Sequence, residues 1–321
     1  MNELRQYQKL VLFDQVSLPH TKTFAPDMAK VLDEVADKLG QLSPAAKPLL
    51  GFDEEMYHRS HFAVSKHDLD KLTETPRHYY AGLTRPEQKK RAFEFGKLAH
   101  SIILEPELVD ERYVSDIHME EEVRKMNKNT KVYKNARAKL EATGKKMISH
   151  EEYLELRQVA DSILMQPRIG GLLKGAEREV SCFAEDPDTG IFLRGRMDFV
   201  RPDLGVVGDF KTVRNASKDA WERAIWDYGY HRQAAMYLKL ASLCYGRPFD
   251  TFVAILCENN SPYSTRGFAL DAATLEAGEL QNRQALQAFA QCIEKGNFPG
   301  YPEEIESCAL PYYAWDKIQA E

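Results

Sequence analysis

The chain has 321 residues, of which 43% are hydrophobic and 29% charged, a composition that excludes wholesale disorder. Lys+Arg (43) against Asp+Glu (49) leaves a formal net charge of −6, so any nucleic-acid contact has to come from a local basic face. No apolar run approaches the roughly 18 residues of a membrane span, and MNELRQYQKL has no apolar signal-peptide core. The five cysteines (Cys182, Cys244, Cys257, Cys292, Cys308) are far apart and odd in number, so the expectation is a soluble protein of a reducing cytoplasm.

Residues 1–60 read as an accessory segment with one helix, Met28 to Leu42, where Val31, Leu32, Val35 and Leu39 recur at helical spacing. Residues 61–321 read as the main domain. Ser65 with Asp68 three residues on resembles a capping box, and Thr75-Pro76 reads as a second helix start. A longer helix is expected from about Gln88 to Leu104, with Phe95, Leu98, Ala99, Ile102 and Ile103 as its apolar stripe and Glu105-Pro106 as its stop. Residues 120–150 read as helical and basic, and Glu151 to Met165 as a further helix.

A β-region follows. Arg178–Ala184 and Ile191–Val200 flank the turn signal Asp186-Pro187-Asp188-Thr189-Gly190, and Gly205–Thr212 reads as a short strand. A helix from Tyr230 to about Leu243, strands Thr251–Glu258 and Ser264–Leu270, a long helix from Asp271 to Lys295 and an irregular tail complete the reading. The sum is an α/β fold: a mixed central sheet flanked by helices, with a helical N-terminal region.

Strand alternation puts Leu193, Met197 and Phe199 on one face of their strand and Arg194, Arg196 and Asp198 on the other. It likewise puts Asp209 and Lys211 together, opposite Phe210. If these strands are neighbours, two carboxylates and an ammonium converge. Paired carboxylates attract hard divalent cations such as Mg²⁺, and a nearby lysine can orient and help activate a metal-bound water. An Asp-x-Lys tripeptide alone is more often a surface ion pair. Glu179, or its rival Glu177 of the same parity, could add a third acid. His100 sits one turn after Gly96 on its helix, and Gln233 and Tyr237 lie one turn apart on theirs.

Taken together these segments resemble the PD-(D/E)XK nuclease superfamily, and within it the RecE-type (exonuclease VIII-like) phage recombination exonucleases. The resemblance is carried by Ser65-Lys66-His67-Asp68-Leu69, Phe95-Gly96-Lys97-Leu98-Ala99-His100 with Leu104-Glu105-Pro106, and Glu179-Val180-Ser181. It continues through Gly195-Arg196-Met197-Asp198, Asp209-Phe210-Lys211-Thr212, Tyr230-His231-Arg232-Gln233-Ala234-Ala235-Met236-Tyr237, Phe298-Pro299-Gly300-Tyr301 and Leu310-Pro311. Met197 stands where the superfamily name has Pro.

The resemblance implies a PD-(D/E)XK (restriction-endonuclease-like) exonuclease domain over residues 61–321. His100, Asp198, Asp209 and the Phe210 carbonyl would be metal ligands, and Glu179 would stand near the metals or a water. Lys211 would serve the attacking water, and Gln233 and Tyr237 would support the site and contact DNA. The implied activity is Mg²⁺-dependent (Mn²⁺ substituting) exonucleolytic hydrolysis of double-stranded DNA, 5′→3′, in a phage or prophage recombination system of the bacterial host cytoplasm. A single-strand annealing protein is the implied partner, and a homo-oligomer is compatible with the family. Alternatives are a RecB-like endonuclease or 3′-acting nuclease on the same fold, or a catalytically idle DNA-binding module. An iron–sulfur cluster is not expected, because the cysteines lack clustered spacing. Lys128, Lys131, Lys134 and Arg137 in the basic span are candidate phosphate contacts, with Arg124, Lys128 and Lys131 on one helix face. Ser65, Arg77 and Arg194 are weaker candidates for a terminal phosphate.

Overall fold

A computed structural model of the chain describes residues 48–52, 54–59, 63–83, 92–310, 314, 315 and 318. The expected helix Met28–Leu42 and the segment Gln88–Arg91 lie outside the described residues, as does the side chain of Phe95. After a short helix α1 (Glu54–Arg59), Ser65 caps α2 (Lys66–Glu74). The capping box is real, since Asp68 accepts from the Ser65 N–H at 2.8 Å and its own N–H donates back to Ser65 Oγ. Pro76 opens α3 (Pro76–Leu83), where its missing N–H costs nothing. Helix α4 (Ala92–Leu104) ends before Pro106 as expected, and α5 (Val109–Arg112) follows.

The basic span is not one helix. It folds as α6 (Glu121–Arg124), a turn, and α7 (Lys131–Glu141), and then β2 (Lys146–Ile148), which pairs in parallel with β1 (Tyr113–Ser115). Thr130 supplies a new N-cap, and Gly144, at φ 82°, turns the chain out of α7. Arg124, Lys128 and Lys131 therefore share no helix face. Next come α8 (His150–Leu164), with a second capping box at Ser149 and Glu152, and α9 (Pro167–Leu173).

The central sheet comprises β3 (Glu177–Glu185), β4 (Phe192–Arg201), β5 (Val206–Val213), β6 (Thr251–Glu258) and β7 (Thr265–Ala269), in that spatial order. Within this sheet only β5 and β6 run parallel to each other as neighbours. Their crossover carries α10 (Lys218–Asp227) and α11 (Tyr230–Tyr245), and α12 (Ala272–Lys295) packs on α11. One face of the sheet buries Val180, Cys182, Leu193, Met197, Val207 and Phe252 with Leu240 and Phe289. The other face buries Phe199, Phe210 and Ile255 with Leu98, Ile102, Leu156 and Ile163. Apolar burial on both faces is what a sheet layered between helices requires.

The alternation expected for β4 holds only in part. Leu193 and Met197 enter the first core, but Phe199 enters the second, so the strand changes parity around Asp198. Gly208 makes room for this, since a Cβ there would lie 1.9 Å from Phe199 Cζ. Residues 48–52 and α1 also reach this sheet: Leu49 pairs with Ser181, and Arg196 donates to the Phe52 carbonyl at 2.7 Å. Among the described residues, no helix is long and apolar enough to cross a membrane.

Candidate metal and catalytic centre

The site lies where the sheet forks. Strands β4 and β5 pair from Arg201↔Val206 only as far as Phe199↔Gly208 and then separate. Asp198 fills the first gap beyond the ladder, where its Oδ2 accepts from the Phe210 N–H at 2.6 Å. Beyond the fork β5 stays paired to β6 as far as Val213↔Glu258, so Asp209 and Lys211 project from a held strand.

His100, Glu179 and Asp198 converge. One ligand atom from each lies within 4.8 Å of the others. The half-buried imidazole approaches Asp198 at 3.6 Å and sits edge-on to the Phe210 ring at 5.2 Å. Glu179 reaches the group through an unusual backbone. Its φ is 50°, a left-handed conformation rare for a residue with a side chain, and Arg196 holds its carboxylate at 2.7 Å. Glu177, the rival of equal parity, is instead hydrogen-bonded by the Tyr245 hydroxyl. Of the two acids, Glu179 is the one at the fork.

Asp209, the other expected acidic ligand, stands beside His100 and Asp198 with partners of its own. Its carboxylate is ion-paired with Lys211 and accepts from Gln233 Nε2 at 2.8 Å. Gln233 is buried and spends its amide on Asp209, and Tyr237 follows one turn later on α11. Their place in the structure is behind Asp209, supporting it. Gly195 brings α11 close enough for this. A Cβ at that position would lie 2.8 Å from Leu240 and 3.1 Å from the Tyr237 ring.

The electrostatics are those of a site built for a cation. Burial first, and then the neighbouring Asp209 charge, push Asp198 well above the usual carboxylate range. Burial would lower Lys211, but the Asp209 and Asp198 charges outweigh it and hold the ammonium above its ordinary value. Burial lowers His100, which favours the neutral imidazole that ligates metals. An imidazole beside carboxylates that repel one another fits a divalent cation of borderline or hard character.

Two expected phosphate sites need correction. Arg194 is buried, with its guanidinium committed to the Tyr57 and His58 carbonyls and to Asp68, so it is not a phosphate site. The Ser65 hydroxyl is committed to Asp68 at 2.6 Å as part of the helix cap. Arg77 is exposed on α3 beside Gly300, and its backbone N–H donates to the Pro299 carbonyl. Lys128, Lys131, Lys134 and Arg137 are exposed, with Arg137 paired to Glu141 at 3.0 Å. Arg196, which sequence reasoning placed only by parity, is the cation that steadies Glu179.

A forked sheet with Asp198 on one arm and Asp-x-Lys on the other defines the PD-(D/E)XK nuclease class. The profile of the PDDEXK-like domain of unknown function (DUF3799) matches residues 65–311, and the chain belongs to that family. The PD-(D/E)XK membership expected from the motifs is borne out, and a RecE-type enzyme is in keeping with it.

Among solved structures, a candidate exonuclease from Eubacterium rectale superposes with a TM-score of 0.53 at 12% identity, covering 83% of this chain and 97% of that one. At that identity the likeness concerns the fold. An alkaline exonuclease from Laribacter hongkongensis aligns with a TM-score of 0.25 at 13% identity, covering 60% of this chain and 97% of its own, and carries no argument. No curated protein matches the sequence.

Proposed function

We propose that the chain is a Mg²⁺-dependent exonuclease that removes one strand of double-stranded DNA from an end, in the 5′→3′ sense. The observation that carries this reading is the convergence of His100, Glu179 and Asp198 at the fork, beside the Asp209–Lys211 pair. His100, Asp198, Asp209 and the Phe210 carbonyl would hold the metal, with Glu179 beside it. When bound, a divalent cation would polarise the scissile phosphate and stabilise charge on the leaving oxygen.

The residues of the chain do the rest. Hydrolysis forms a bond from a water oxygen to phosphorus and breaks one phosphorus–sugar-oxygen bond. The water loses a proton, and the departing sugar oxygen gains one. Lys211, cationic and placed by β5, offers N–H donors to that water or to a phosphate oxygen. Gln233 fixes the Asp209 carboxylate, and Arg196 fixes that of Glu179, so neither has to be ordered during the reaction. In this reading the exposed strand passes to a single-strand annealing protein in a phage or prophage recombination system, and residues 61–321 act as the nuclease domain.

The test compares linear, nicked and closed circular duplexes, with either end labelled, in Mg²⁺. The reading expects the linear form to be degraded from its 5′ ends and the closed circle to be spared. Cleavage of the closed circle would favour an endonuclease. Release of 3′ label first would reverse the polarity. No cleavage of any form would leave only a DNA-binding module.

A further inference from the structure

The end of α10 and the turn into α11 present exposed aromatic rings that the functions assigned so far do not use, and one of them, Tyr228, leads through Tyr230 to Lys211. Trp226 is 68% exposed and Tyr228 is 64% exposed. Exposed aromatics this large mark a contact surface more often than a lone exposed leucine does. Both are held in place.

Trp226 lies flat on the buried His231 ring, 5.7 Å away at 11°, and that imidazole is fixed by the Ile225 carbonyl and by Gln281. The Tyr228 carbonyl accepts from Lys66 at 2.6 Å, and Gly229, at φ 63°, turns the chain directly after it. From Tyr228 the rings run inwards. Tyr230 is 5.7 Å away, and Lys211 Nζ stands 5.2 Å over the Tyr230 ring. Lys66 and Arg232 add positive charge along the same turn, both held by Asp70.

We propose that Trp226 and Tyr228 form a base-stacking surface for the unpaired bases of the DNA strand that enters the centre. The proposal rests on the nuclease reading and deepens it. A protein docked over Tyr228 would stand next to the ring that carries Lys211 and would crowd the reacting residues, whereas a nucleotide flanking a phosphate at Lys211 is within reach of Tyr228. Bases inside a duplex have both faces covered by neighbours. Only a base of a single-stranded tail, outside the duplex stack, offers a free face to a fixed ring, so the surface selects tailed ends. Stacking needs the ring and not the hydroxyl.

The test uses the intact chain in Ca²⁺, with a fluorescein-labelled duplex carrying an oligothymidine tail and the same duplex blunt. Trp226→Ala and Tyr228→Ala should each weaken binding of the tailed duplex by about tenfold, the worth of a single stacked base. Tyr228→Phe should bind as the parent does, and blunt-duplex affinity should change by less than about twofold in every variant, being set mainly by the phosphates. Unchanged melting temperatures would show that the variants fold. Equal tailed-duplex affinity in the alanine variants and the parent, while the parent still cleaves linear DNA in Mg²⁺, would overturn the stacking surface alone. Loss of self-association at unchanged DNA affinity would overturn it too, and would assign the patch to a second copy of the chain. A parent that neither binds nor cleaves any DNA would defeat both readings.

Discussion

Glu179 carries a backbone cost for its position. A left-handed φ of 50° on a residue with a Cβ is worth roughly 1–3 kcal/mol of strain, and such strain gathers where a side chain has to be aimed. Glu179→Gly should therefore be more stable than Glu179→Ala by about 1 kcal/mol, although glycine packs less and is more flexible when unfolded. Urea unfolding of the two variants measures this directly, and equal stabilities would mean that the conformation is unstrained. Neither variant should retain more than a small fraction of parental hydrolysis, since both lack the carboxylate.

Asp198 makes a second residue-scale prediction. Its carboxylate is buried beside Asp209, so its charge is unfavourable until a cation joins it. Mg²⁺ or Ca²⁺ should raise the melting temperature of the parent, by about 2.7 kcal/mol of stability at a hundredfold excess over the dissociation constant. Asp198→Asn should be at least as stable as the parent in EDTA and should lose most of the metal-induced shift. A parent whose melting is indifferent to divalent cations would contradict the metal assignment.

At the scale of elements, the fork depends on a close approach between two strands. Gly208→Ala should destabilise the fold by about 1–3 kcal/mol, because its methyl overlaps the Phe199 ring. Combining it with Phe199→Ala should cost less than the sum of the two single changes, because the overlap disappears with the ring. Chemical denaturation of the four proteins in this cycle checks the coupling.

The same elements mark how much the sequence alone makes legible. Elements with local signals were readable. The capping box at Ser65, Pro76 at a helix start and the Asp186–Gly190 turn are each written in a few residues, as is the shared face of Asp209 and Lys211. Departures from regular periodicity were not. The parity change at Asp198 depends on Gly208 in another strand, and the choice of Glu179 over Glu177 depends on a left-handed φ and on Tyr245 sixty-eight residues away. Helix α10 was missed although Ser217 caps it and Trp221 anchors it in the core. The basic span looked continuous because its charges hid the break at Thr130. Arg194 looked like an anion site because strand parity does not reveal that it is buried against carbonyls.

For the whole molecule, charge is distributed so that a net −6 chain still presents a basic region around α7. Neutralising Lys128, Lys131 and Lys134 together should weaken duplex binding and lower the salt slope by about one unit for each phosphate left without a cation. Arg137, which shares its charge with Glu141, should contribute less than any of the three. An unchanged slope would make α7 a solvated surface with no part in binding.

The central claim is that the forked sheet is a metal-dependent hydrolytic centre with Lys211 at the reacting water. It is tested most directly by the rate at which the parent and Lys211→Ala digest end-labelled linear duplex DNA in Mg²⁺, with duplex binding in Ca²⁺ measured alongside. The account predicts rapid digestion by the parent that EDTA abolishes, loss of most digestion in Lys211→Ala, and nearly equal binding by both. Digestion by Lys211→Ala at the parental rate, or digestion by the parent undiminished in EDTA, would contradict it.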